Sequence, residues 1–342
     1  MRVGRTTLPA LAAEHKSAPD IVVVDLFSGC GGFSLGAQQA GFRVAAACDN
    51  DPILSFSYLL NFTMTKLLLR DITTLTGDIV RAAAGGRVDG IFGGPPCQGF
   101  SDIGRHEADD PRRPLLRHFF RLVHEVQPAF FVMENVRGLA YSDARGVLED
   151  ALRLVDNAYA ILGPHIWDAA QFGAATKRSR LFVVGIHKNH GGALTLEDIA
   201  ALKRPPATVR AAISDLAGAR PVGEDKGFDL WRRVDRAGRP FNYARALHSP
   251  DGLFTGHRAT VHTTEVIARF ARIPEGGKDD VGRHPRLAWL GQCPALRAGT
   301  GVEKGSYQAV RPIHPSEARV ITVREAARLQ GFPDSHRFHP TI

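Results

Sequence analysis

Cysteine is scarce in this chain, and long apolar runs are absent from it. The 342 residues contain four cysteines, which lie far apart and form no Cys-X-X-Cys pair. This spacing is typical of neither a zinc site nor a disulfide framework, so we predict no bound metal. No stretch reaches the roughly 18 apolar residues that a membrane helix requires. The sequence therefore predicts a protein without a membrane partner, which we expect to be soluble and cytoplasmic.

The composition also excludes disordered and fibrous proteins. Hydrophobic residues make up 44% of the chain and charged residues 23%, which suffices for a full-sized core in one large domain or two. The net charge is +8, and residues 187–311 hold 20 basic and 13 acidic side chains. Most of the excess positive charge therefore lies in that segment. It could face a polyanion or be a solvated basic surface.

The first half of the chain alternates short apolar runs with helical patterns, as in a parallel sheet covered by helices. Polar or glycine residues follow each run, where open α/β sheets bind their ligands. The predicted strands are residues 21–27, 43–49, 88–92, 129–134 and 181–186, and the first is followed by a helix over 33–40.

The pattern weakens between about residues 190 and 305, which predicts a second, loop-rich domain. A helical pattern returns over residues 316–329 and ends at Gly331. One face of this helix is an apolar stripe. We expect the opposite face to be polar and to carry Glu317, Arg324, Glu325 and Arg328.

A glycine-rich turn separates the first predicted strand from its helix. Residues 25–32 read DLFSGCGG, which lets a ligand approach bare backbone. Asp49 ends the next strand, 17 residues beyond Gly32, where a carboxylate can accept hydrogen bonds from both ribose hydroxyls. The turn has no Arg or Lys to hold a pyrophosphate. A ligand with a ribose and no phosphate, such as S-adenosylmethionine, fits this pattern better than NAD.

A lone cysteine follows two prolines just beyond another strand. Cys97 lies in the run GGPPCQGFS (93–101), whose rigid backbone suits a nucleophile, whereas an isolated cysteine is more often buried and inert. A cysteine attacks as the thiolate, so it needs nearby positive charge. Arg178 and Arg180 are candidates for that charge.

Five ordered motifs make this chain resemble the DNA cytosine-5 methyltransferases. They are DLFSGCGGFSLG (25–36), GGPPCQGFS (93–101), ENV (134–136), QFGAATKRSRLFVVG (171–185) and RVITVREAARLQGFPD (319–334). The resemblance implies a Rossmann-like α/β sheet that binds S-adenosylmethionine, with a smaller loop-rich target-recognition domain. It implies a catalytic and cofactor-binding domain over residues 1–189, a target-recognition domain over 190–305 and a C-terminal segment over 306–342 that returns toward the catalytic domain.

The same resemblance implies a catalytic set and a double-stranded DNA substrate. Cys97 would add to carbon 6 of a flipped-out cytosine so that carbon 5 can accept a methyl group. Glu134 would hydrogen-bond the cytosine ring, Arg180 would contact its carbonyl oxygen and orient Glu134, and Arg178 would be a structural or phosphate contact.

The resemblance assigns further residues to the cofactor and to DNA. It places Phe27 on the adenine, Asp49 on the ribose and Asp71 on the adenine amino group. The full cofactor set is Asp25, Phe27, Ser28, Gly29, Gly31, Gly32, Asp49, Asn50, Asp71, Ile72, Pro96 and Leu115. Residues 101–114 would form a lid over DNA, and the DNA contacts would be Gln98, Ser101, Arg105, Arg112 and Arg113. Seven arginines of the second domain offer guanine or phosphate contacts: Arg232, Arg233, Arg236, Arg239, Arg258, Arg283 and Arg286.

The chain departs from the family pattern at three places. Thr176 stands where the family usually has glutamine, and Asn50 where many members have tryptophan. The family's last motif, Gly-Asn on a helix that lines the methionine end of the pocket, does not occur in the 342 residues. Truncation, a second polypeptide that supplies the helix and a degenerate enzyme are the three explanations. We expect the chain to need this piece and to be weakly active alone.

Three functions remain open from the sequence. The first is a modification methyltransferase of bacterial type that acts on duplex DNA. The second is a transfer-RNA methyltransferase, because that branch shares the Pro-Pro-Cys-Gln motif. The third is a DNA-binding subunit without catalysis, which the missing motif favours and the presence of Cys97 and Glu134 disfavours.

Overall fold

The computed structural model describes residues 20–96, 113–141, 143–234, 240–296 and 311–339. Its strands are β1 (Val22–Leu26), β2 (Arg43–Asp49), β3 (Lys66–Leu69), β4 (Gly90–Gly93), β5 (Phe130–Asn135), β6 (Tyr159–Asp168), β7 (Thr176–Lys177), β8 (Ser179–His187), β9 (Arg220–Asp225), β10 (Phe228–Arg232), β11 (Leu253–Phe254) and β12 (Cys293–Pro294). Its helices are α1 (Gly32–Gln39), α2 (Pro52–Asn61), α3 (Gly77–Ala83), α4 (Arg113–Val126), α5 (Asp143–Leu152), α6 (Leu196–Ala201), α7 (Val209–Ile213), α8 (Asn242–Leu247), α9 (Thr264–Ala271) and α10 (Val323–Leu329).

Seven strands form one twisted sheet in the order β3-β2-β1-β4-β5-β8-β6. The first five strands in that order run parallel to each other, and β8 runs antiparallel to both of its neighbours. The α/β fold and each of the five predicted strands are confirmed. Strands β3 and β6 are not evident from the sequence, because the first, KLLL, has no β-branched residue and the second contains Gly163 and Pro164.

Aromatic and β-branched side chains form the core on one face of the sheet. All five residues of β1 are buried, and Phe119 and Phe120 of α4 pack edge-to-face against Phe131 of β5. Burying a Phe side chain contributes about 1.5–3 kcal/mol each, so this cluster anchors α4 firmly against the sheet. Within the described ranges, no helix is both long and apolar enough to cross a membrane.

A second apolar core lies in the C-terminal half of the chain. Its buried residues come from α7, β11, α10 and the segments between them, and they include Val209, Ile213, Phe254, Leu287 and Leu329. A small antiparallel sheet in the order β11-β10-β9 lies beside it. This core depends on α10, which packs against α7.

The predicted helix over residues 316–329 is shorter than expected. It begins after Thr322, whose side chain accepts a hydrogen bond from the Glu325 amide while Glu325 caps the Thr322 amide in return. The expectation that Arg324, Glu325 and Arg328 form a polar outer face is wrong, because all three are buried. Glu325 pairs with Arg319, and Arg328 pairs with Asp334, so buried ion pairs replace the expected contact with solvent.

The segment after α10 runs back to α2. Asn61 and Arg337 exchange two hydrogen bonds, in which the Asn61 amide donates to the Arg337 carbonyl and accepts from the Arg337 amide. The His339 amide donates to the Ser57 hydroxyl one helical turn earlier. Residues 336–339 therefore lie along α2 in the antiparallel direction.

Candidate active site

The carboxyl ends of β1 and β4 lie side by side at the point where the strand order reverses. From β1 the chain continues to β2 and β3 on one side, whereas β4 and β5 extend the sheet on the other. Open α/β sheets bind ligands in the crevice at such a point. The glycine turn after β1 and the Gly-Gly-Pro-Pro turn after β4 both begin at this crevice.

The glycine turn requires its glycines for space and for backbone conformation. Gly29 and Gly31 have φ angles of 53° and 91°. A Cβ on Gly31 would lie 2.1 Å from the ring of Phe62. Phe27 also has a positive φ, 61°, which non-glycine residues adopt at a cost. A strained aromatic beside a ligand crevice is typical of a functional site.

Asp49 connects the ends of β1 and β2. Its Oδ2 accepts a hydrogen bond of 2.8 Å from the Gly29 amide, and its Oδ1 accepts one of 2.8 Å from the Asp51 amide. Each carboxylate oxygen keeps a further lone pair for a ligand hydroxyl. Asn50 is exposed at the same edge of the sheet.

Asp71 occupies the corresponding place after β3. The Arg70 amide donates to the Asp49 carbonyl, which brings the two strand ends together. Asp71 is exposed, and the Thr73 amide that it caps lowers the pKa of its carboxyl. It therefore offers a charged acceptor to an exocyclic amine. Ile72 is buried beside it.

Asp25 lies below the turn and does not reach its surface. The side chain is wholly buried, and its Oδ2 accepts hydrogen bonds from the Ser34 amide (3.1 Å) and hydroxyl (2.6 Å). Burial raises the pKa of this carboxyl to about 7. Asp25 therefore fixes the first turn of α1 against β1. Its other oxygen, Oδ1, has no partner among the described residues.

The residues around the turn fit a nucleoside ligand. The Ser28 hydroxyl is buried and has no partner among the residues that the structure describes, so it is available for one further hydrogen bond. Gly32 starts α1, Pro96 is half-buried and Leu115 packs partly against the main core. The carboxylates of Asp49 and Asp71 can accept hydrogen bonds from a ribose and an adenine. The glycine backbone is open to a ligand, and the turn has no basic side chain that would bind a phosphate.

Glu134 and Arg180 form an ion pair at the end of β5. Their Oε1 and Nε atoms lie 3.0 Å apart, and each side chain is about 20% exposed. Burial raises the pKa of Glu134, although Arg180 and Arg178 oppose that shift. Arg180 lies at the beginning of β8, which the antiparallel direction of that strand brings to the carboxyl end of β5.

The backbone before Cys97 contacts this pair directly. The Asn135 side chain donates a 2.9 Å hydrogen bond to the Pro95 carbonyl, and a Cβ on Gly94 would lie 3.2 Å from Oε2 of Glu134. A Cβ on Gly93 would lie 2.2 Å from the Leu26 carbonyl oxygen. Both glycines therefore allow close packing, and Gly94 brings the turn that precedes Cys97 against Glu134.

Several predicted residues lie outside the described part of the chain, namely Cys97, Gln98, Ser101, Arg105 and Arg112. Arg113 is the first residue of α4, and its side chain is not described.

An aromatic ladder that the sequence did not reveal lies beside the ion pair. Phe182 is directly opposite Glu134 in the sheet register, and Trp167 is directly opposite Arg180. The rings of Phe182 and Trp167 lie 5.3 Å apart, and His165 stacks on Trp167 at 5.9 Å. The alternation of His165 and Trp167 with the exposed Ile166 is the one feature of the sequence that indicates a strand here. Gly163 and Pro164 interrupt that pattern.

Thr176 and Arg178 connect β7 and β8 to their neighbours. The buried Thr176 hydroxyl donates to the Cys293 carbonyl at 3.1 Å, so it reinforces the pairing of β7 with β12 beside the second core. The Arg178 amide donates to the Asp168 carboxylate, and its guanidinium lies close enough to Glu134 to lower the pKa of that carboxyl. Arg178 therefore adds positive charge to the site.

The arginines of the second domain differ in availability. Arg232, Arg258 and Arg283 are exposed. Arg286 is buried and donates to the carbonyls of Ile273 and Glu317, so the expectation that it contacts DNA is wrong for this structure. Arg236 and Arg239 lie outside the described residues. The described chain contains no group of three or more His, Cys, Asp or Glu side chains that could hold a metal ion.

Comparison with known proteins shows which family this chain belongs to. The model of the C-5 cytosine-specific DNA methylases matches residues 21–342. The chain is 38% identical over 340 residues to Type II methyltransferase M.XorII of Xanthomonas oryzae pv. oryzae, covering 93% of this chain and 78% of that protein. It is 31% identical over 349 residues to Type II methyltransferase M.DdeI of Desulfomicrobium norvegicum, covering 92% and 79%.

A solved structure gives the same result. The crystal structure of a candidate DNA modification methyltransferase encoded within a prophage (E. coli) superimposes with a TM-score of 0.78 at 35% identity, covering 94% of this chain and 91% of that one. The family model spans nearly the whole sequence and includes every strand of the candidate site. The chain therefore belongs to the C-5 cytosine-specific DNA methylase family and is a DNA (cytosine-5-)-methyltransferase.

Proposed function

We propose that this enzyme transfers a methyl group from S-adenosylmethionine to carbon 5 of a flipped-out cytosine in duplex DNA, as the modification enzyme of a restriction-modification pair. The observation that carries the proposal is the Glu134–Arg180 pair, which lies against the backbone that leads into Cys97. The similarity to Type II methyltransferases supports DNA as the substrate.

The cofactor would lie across the ends of β1, β2 and β3. Asp49 would accept from the ribose hydroxyls, Asp71 from the adenine amine, and Phe27, Asn50, Ile72, Pro96 and Leu115 would line the pocket. The backbone of Ser28, Gly29, Gly31 and Gly32 would approach the remainder of the molecule, with Asp25 holding that backbone in place. When bound, S-adenosylmethionine supplies a methyl group made electrophilic by a sulfonium.

The protein's part of the reaction is activation of the cytosine ring. Carbon 5 is a poor nucleophile until the Cys97 thiolate adds to carbon 6, since the new S–C6 bond sends the electron pair of the C5–C6 double bond toward carbon 5. Once carbon 5 carries the methyl group, it loses its proton to a base. The S–C6 bond then breaks, the thiolate leaves and the double bond re-forms.

Glu134 would act at ring nitrogen 3 and the exocyclic amine. A protonated carboxyl donates to nitrogen 3 and thereby stabilises the negative charge that thiolate addition places on the ring. Burial of Glu134 raises its pKa, which favours the protonated form. Arg180 would hold Glu134 in place and donate to the cytosine carbonyl oxygen, and Arg178 would attract the DNA backbone.

The DNA would approach from the side of the second domain. Flipping a base costs a few kcal/mol of lost stacking, which protein contacts must offset. We assign this task to residues 101–114 as a lid, with Gln98, Ser101, Arg105, Arg112 and Arg113 as contacts, and to the exposed arginines of residues 190–305 as the target-recognition domain. Residues 1–189 would form the catalytic and cofactor-binding domain, and 306–342 the C-terminal segment that returns toward it.

The experiment that tests the proposal traps the covalent adduct. Duplex DNA that contains 5-fluorocytosine is incubated with the protein and S-adenosylmethionine, and the adduct is detected by denaturing gel electrophoresis. Fluorine cannot leave as the proton does, so the enzyme stays bound to DNA. We expect an adduct with wild-type protein and none with Cys97→Ser, whereas the control Cys293→Ser should still form it.

Two outcomes would contradict the proposal. An adduct with Cys97→Ser would exclude this nucleophile, and methyl transfer to transfer RNA in preference to duplex DNA would assign another substrate. The need for a second polypeptide stays a prediction, which adduct yield from the chain alone will test.

A further inference from the structure

The glycine turn rests on a floor of aromatic rings from two distant parts of the chain. The ring of Phe62, at the end of α2, lies under Gly31, and the ring of Phe332 lies 3.5 Å from where a Cβ on Gly32 would be. His336 completes this floor, with its ring centroid 4.7 Å from that of Phe332 and 6.0 Å from that of Phe62. Two of the three rings therefore come from the segment that follows α10.

His336 also bonds to the turn itself. Its Nε2 lies 3.2 Å from the carbonyl oxygen of Cys30, between the two glycines with positive φ. A carbonyl can only accept, so Nε2 must carry the proton. His336 is 3% exposed, and burial together with Arg324 lowers its pKa to about 4. The imidazole is therefore neutral at pH 7 and has its single N–H directed at the turn.

The backbone of His336 is held by Arg324 of α10, which also bonds to the second domain. Arg324 of α10 donates to the carbonyls of His336 (2.6 Å), Pro333 (2.8 Å) and Thr255 (2.9 Å). Arg324 is buried, and its hydrogen bonds to Thr255 and His336 are shielded from water. Contacts therefore run without a break from Thr255, beside β11, through Arg324 and His336 to Cys30.

We propose that His336 is a positioning residue that transmits the placement of the second domain to the cofactor turn. This inference rests on the proposed function, because it takes the turn as the cofactor site. If the second domain shifts when it contacts DNA, Arg324 moves the His336 backbone, and the Cys30 carbonyl follows. DNA binding and cofactor binding are then coupled through one hydrogen bond.

Two variants separate the hydrogen bond from the ring. His336→Phe keeps an aromatic ring on the floor and removes the donor, whereas His336→Gln supplies an amide donor in place of the imidazole. The matched control is His190→Phe, at an exposed position in the 3-10 turn Lys188–His190. The affinity for S-adenosylmethionine is measured by calorimetry, with and without duplex DNA, in each variant and in wild type.

We expect His336→Phe to bind S-adenosylmethionine about tenfold more weakly, which is the loss of roughly 1.4 kcal/mol, and to lose most of the effect of DNA on that affinity. His336→Gln should restore both, and His190→Phe should resemble wild type. A purely structural role would lower thermal stability while leaving the DNA effect on cofactor affinity intact. That result, or a failure of His336→Gln to restore coupling, would overturn the inference.

Hydrogen exchange tests the inference without any cofactor. The Gly29 amide donates to the Asp49 carboxylate, and the Gly31 amide donates to the Ser28 carbonyl. Both amides should exchange faster in His336→Phe than in wild type, because the turn that holds them is less restrained. Unchanged exchange would overturn the positioning role. If wild type binds no S-adenosylmethionine, the proposed function fails, and the exchange rates still decide whether His336 holds the turn.

Discussion

The guanidinium of Arg180 lies 3.0 Å from the carboxylate of Glu134, across the antiparallel junction of β8 and β5. Two opposing effects act on that carboxylate. Burial disfavours its charged form, and the positive charges of Arg180 and Arg178 favour it. Since burial is the larger effect, the pKa of Glu134 is raised, which suits a group that must donate a proton to a cytosine nitrogen.

Removal of Arg180 should move the alkaline limit of activity to higher pH. Without its positive charge, the pKa of Glu134 rises further, so the carboxyl stays protonated over a wider range. The maximal rate of Arg180→Ala should still fall by about 100-fold, because the hydrogen bond from Arg180 to the cytosine carbonyl oxygen is lost. The measurement is the pH dependence of kcat/KM for methyl transfer to duplex DNA. A limit that moves to lower pH would contradict our assignment of Glu134 as the acid.

Removal of Phe182 should move the same limit in the opposite direction. Phe182 is the cross-strand neighbour of Glu134, and Phe182→Ala admits water beside the carboxyl, which weakens the burial effect. The pKa of Glu134 then falls, and activity is lost at a lower pH than in wild type. The control is Ile166→Ala on β6, because successive strand residues face opposite sides and Ile166 lies between His165 and Trp167. Its pH profile should match wild type.

The buried Asp25 should make the protein less stable as pH rises. Its folded-state pKa is raised from 3.8 to about 7, so the folded protein keeps a proton that the unfolded chain releases between these values. The contribution of protonated Asp25 to the unfolding free energy is therefore fully present below about pH 4 and is lost as the pH rises through about 7. The asparagine side chain of Asp25→Asn cannot lose a proton, so this variant should not show this loss. Between pH 4 and 8, the unfolding free energy of Asp25→Asn should rise relative to that of wild type by on the order of 4 kcal/mol.

Urea unfolding at several pH values measures this difference. The control is Asp78→Asn, whose side chain is 90% exposed and should leave the pH dependence of stability unchanged. A constant difference between Asp25→Asn and wild type across the range would show that Asp25 is ionised in the folded protein.

The strands and turns around the cofactor site could be predicted because their signals are local. Consecutive β-branched residues followed by glycine specify β1 and its turn, and Asp49 follows from its position at a strand end. The Phe182–Trp167 ladder could not be predicted, since it arises from the pairing of β6 with an antiparallel β8. Nothing in the local pattern of either strand gives their register.

The burial of three charged residues in α10 could not be predicted from the sequence. Arg324, Glu325 and Arg328 look like the solvent face of an amphipathic helix, and their periodicity supports that reading. Their partners Thr255, Arg319, Asp334 and Asp215 come from four other places in the fold. Helical periodicity carries no information about such partners, so charged residues were assigned to solvent by default.

Loss of Arg328 should destabilise the second core. Both side chains of the Arg328–Asp334 pair are fully buried, and two parallel bonds of 2.7 Å join them. Arg328→Ala leaves the buried Asp334 carboxylate with Arg233, 3.8 Å away, in place of two 2.7 Å bonds, and the loss of a buried partner typically costs about 3–5 kcal/mol. The control is Arg258→Ala, because Arg258 and Glu224 form a 2.7 Å pair with both side chains more than 60% exposed. Such a pair contributes about 1 kcal/mol or less.

Chemical denaturation followed by tryptophan fluorescence measures both variants, since Trp231 and Trp289 pack against this core. Equal losses of stability in Arg328→Ala and Arg258→Ala would contradict the argument from burial.

Two glycine substitutions five residues apart in the first βα unit should have opposite effects on stability. Gly31→Ala places a Cβ 2.1 Å from the Phe62 ring on a backbone with φ of 91°, so both the turn and its aromatic floor must shift. We expect a loss of stability on the order of 2 kcal/mol or more and weaker S-adenosylmethionine binding. Gly36→Ala lies inside α1 with open space around the new Cβ, so it should stabilise the helix by about 0.5–1 kcal/mol without changing cofactor affinity. Thermal unfolding and calorimetric titration of the two variants compare them directly, and equal cofactor affinities would contradict the assignment of this turn to the cofactor.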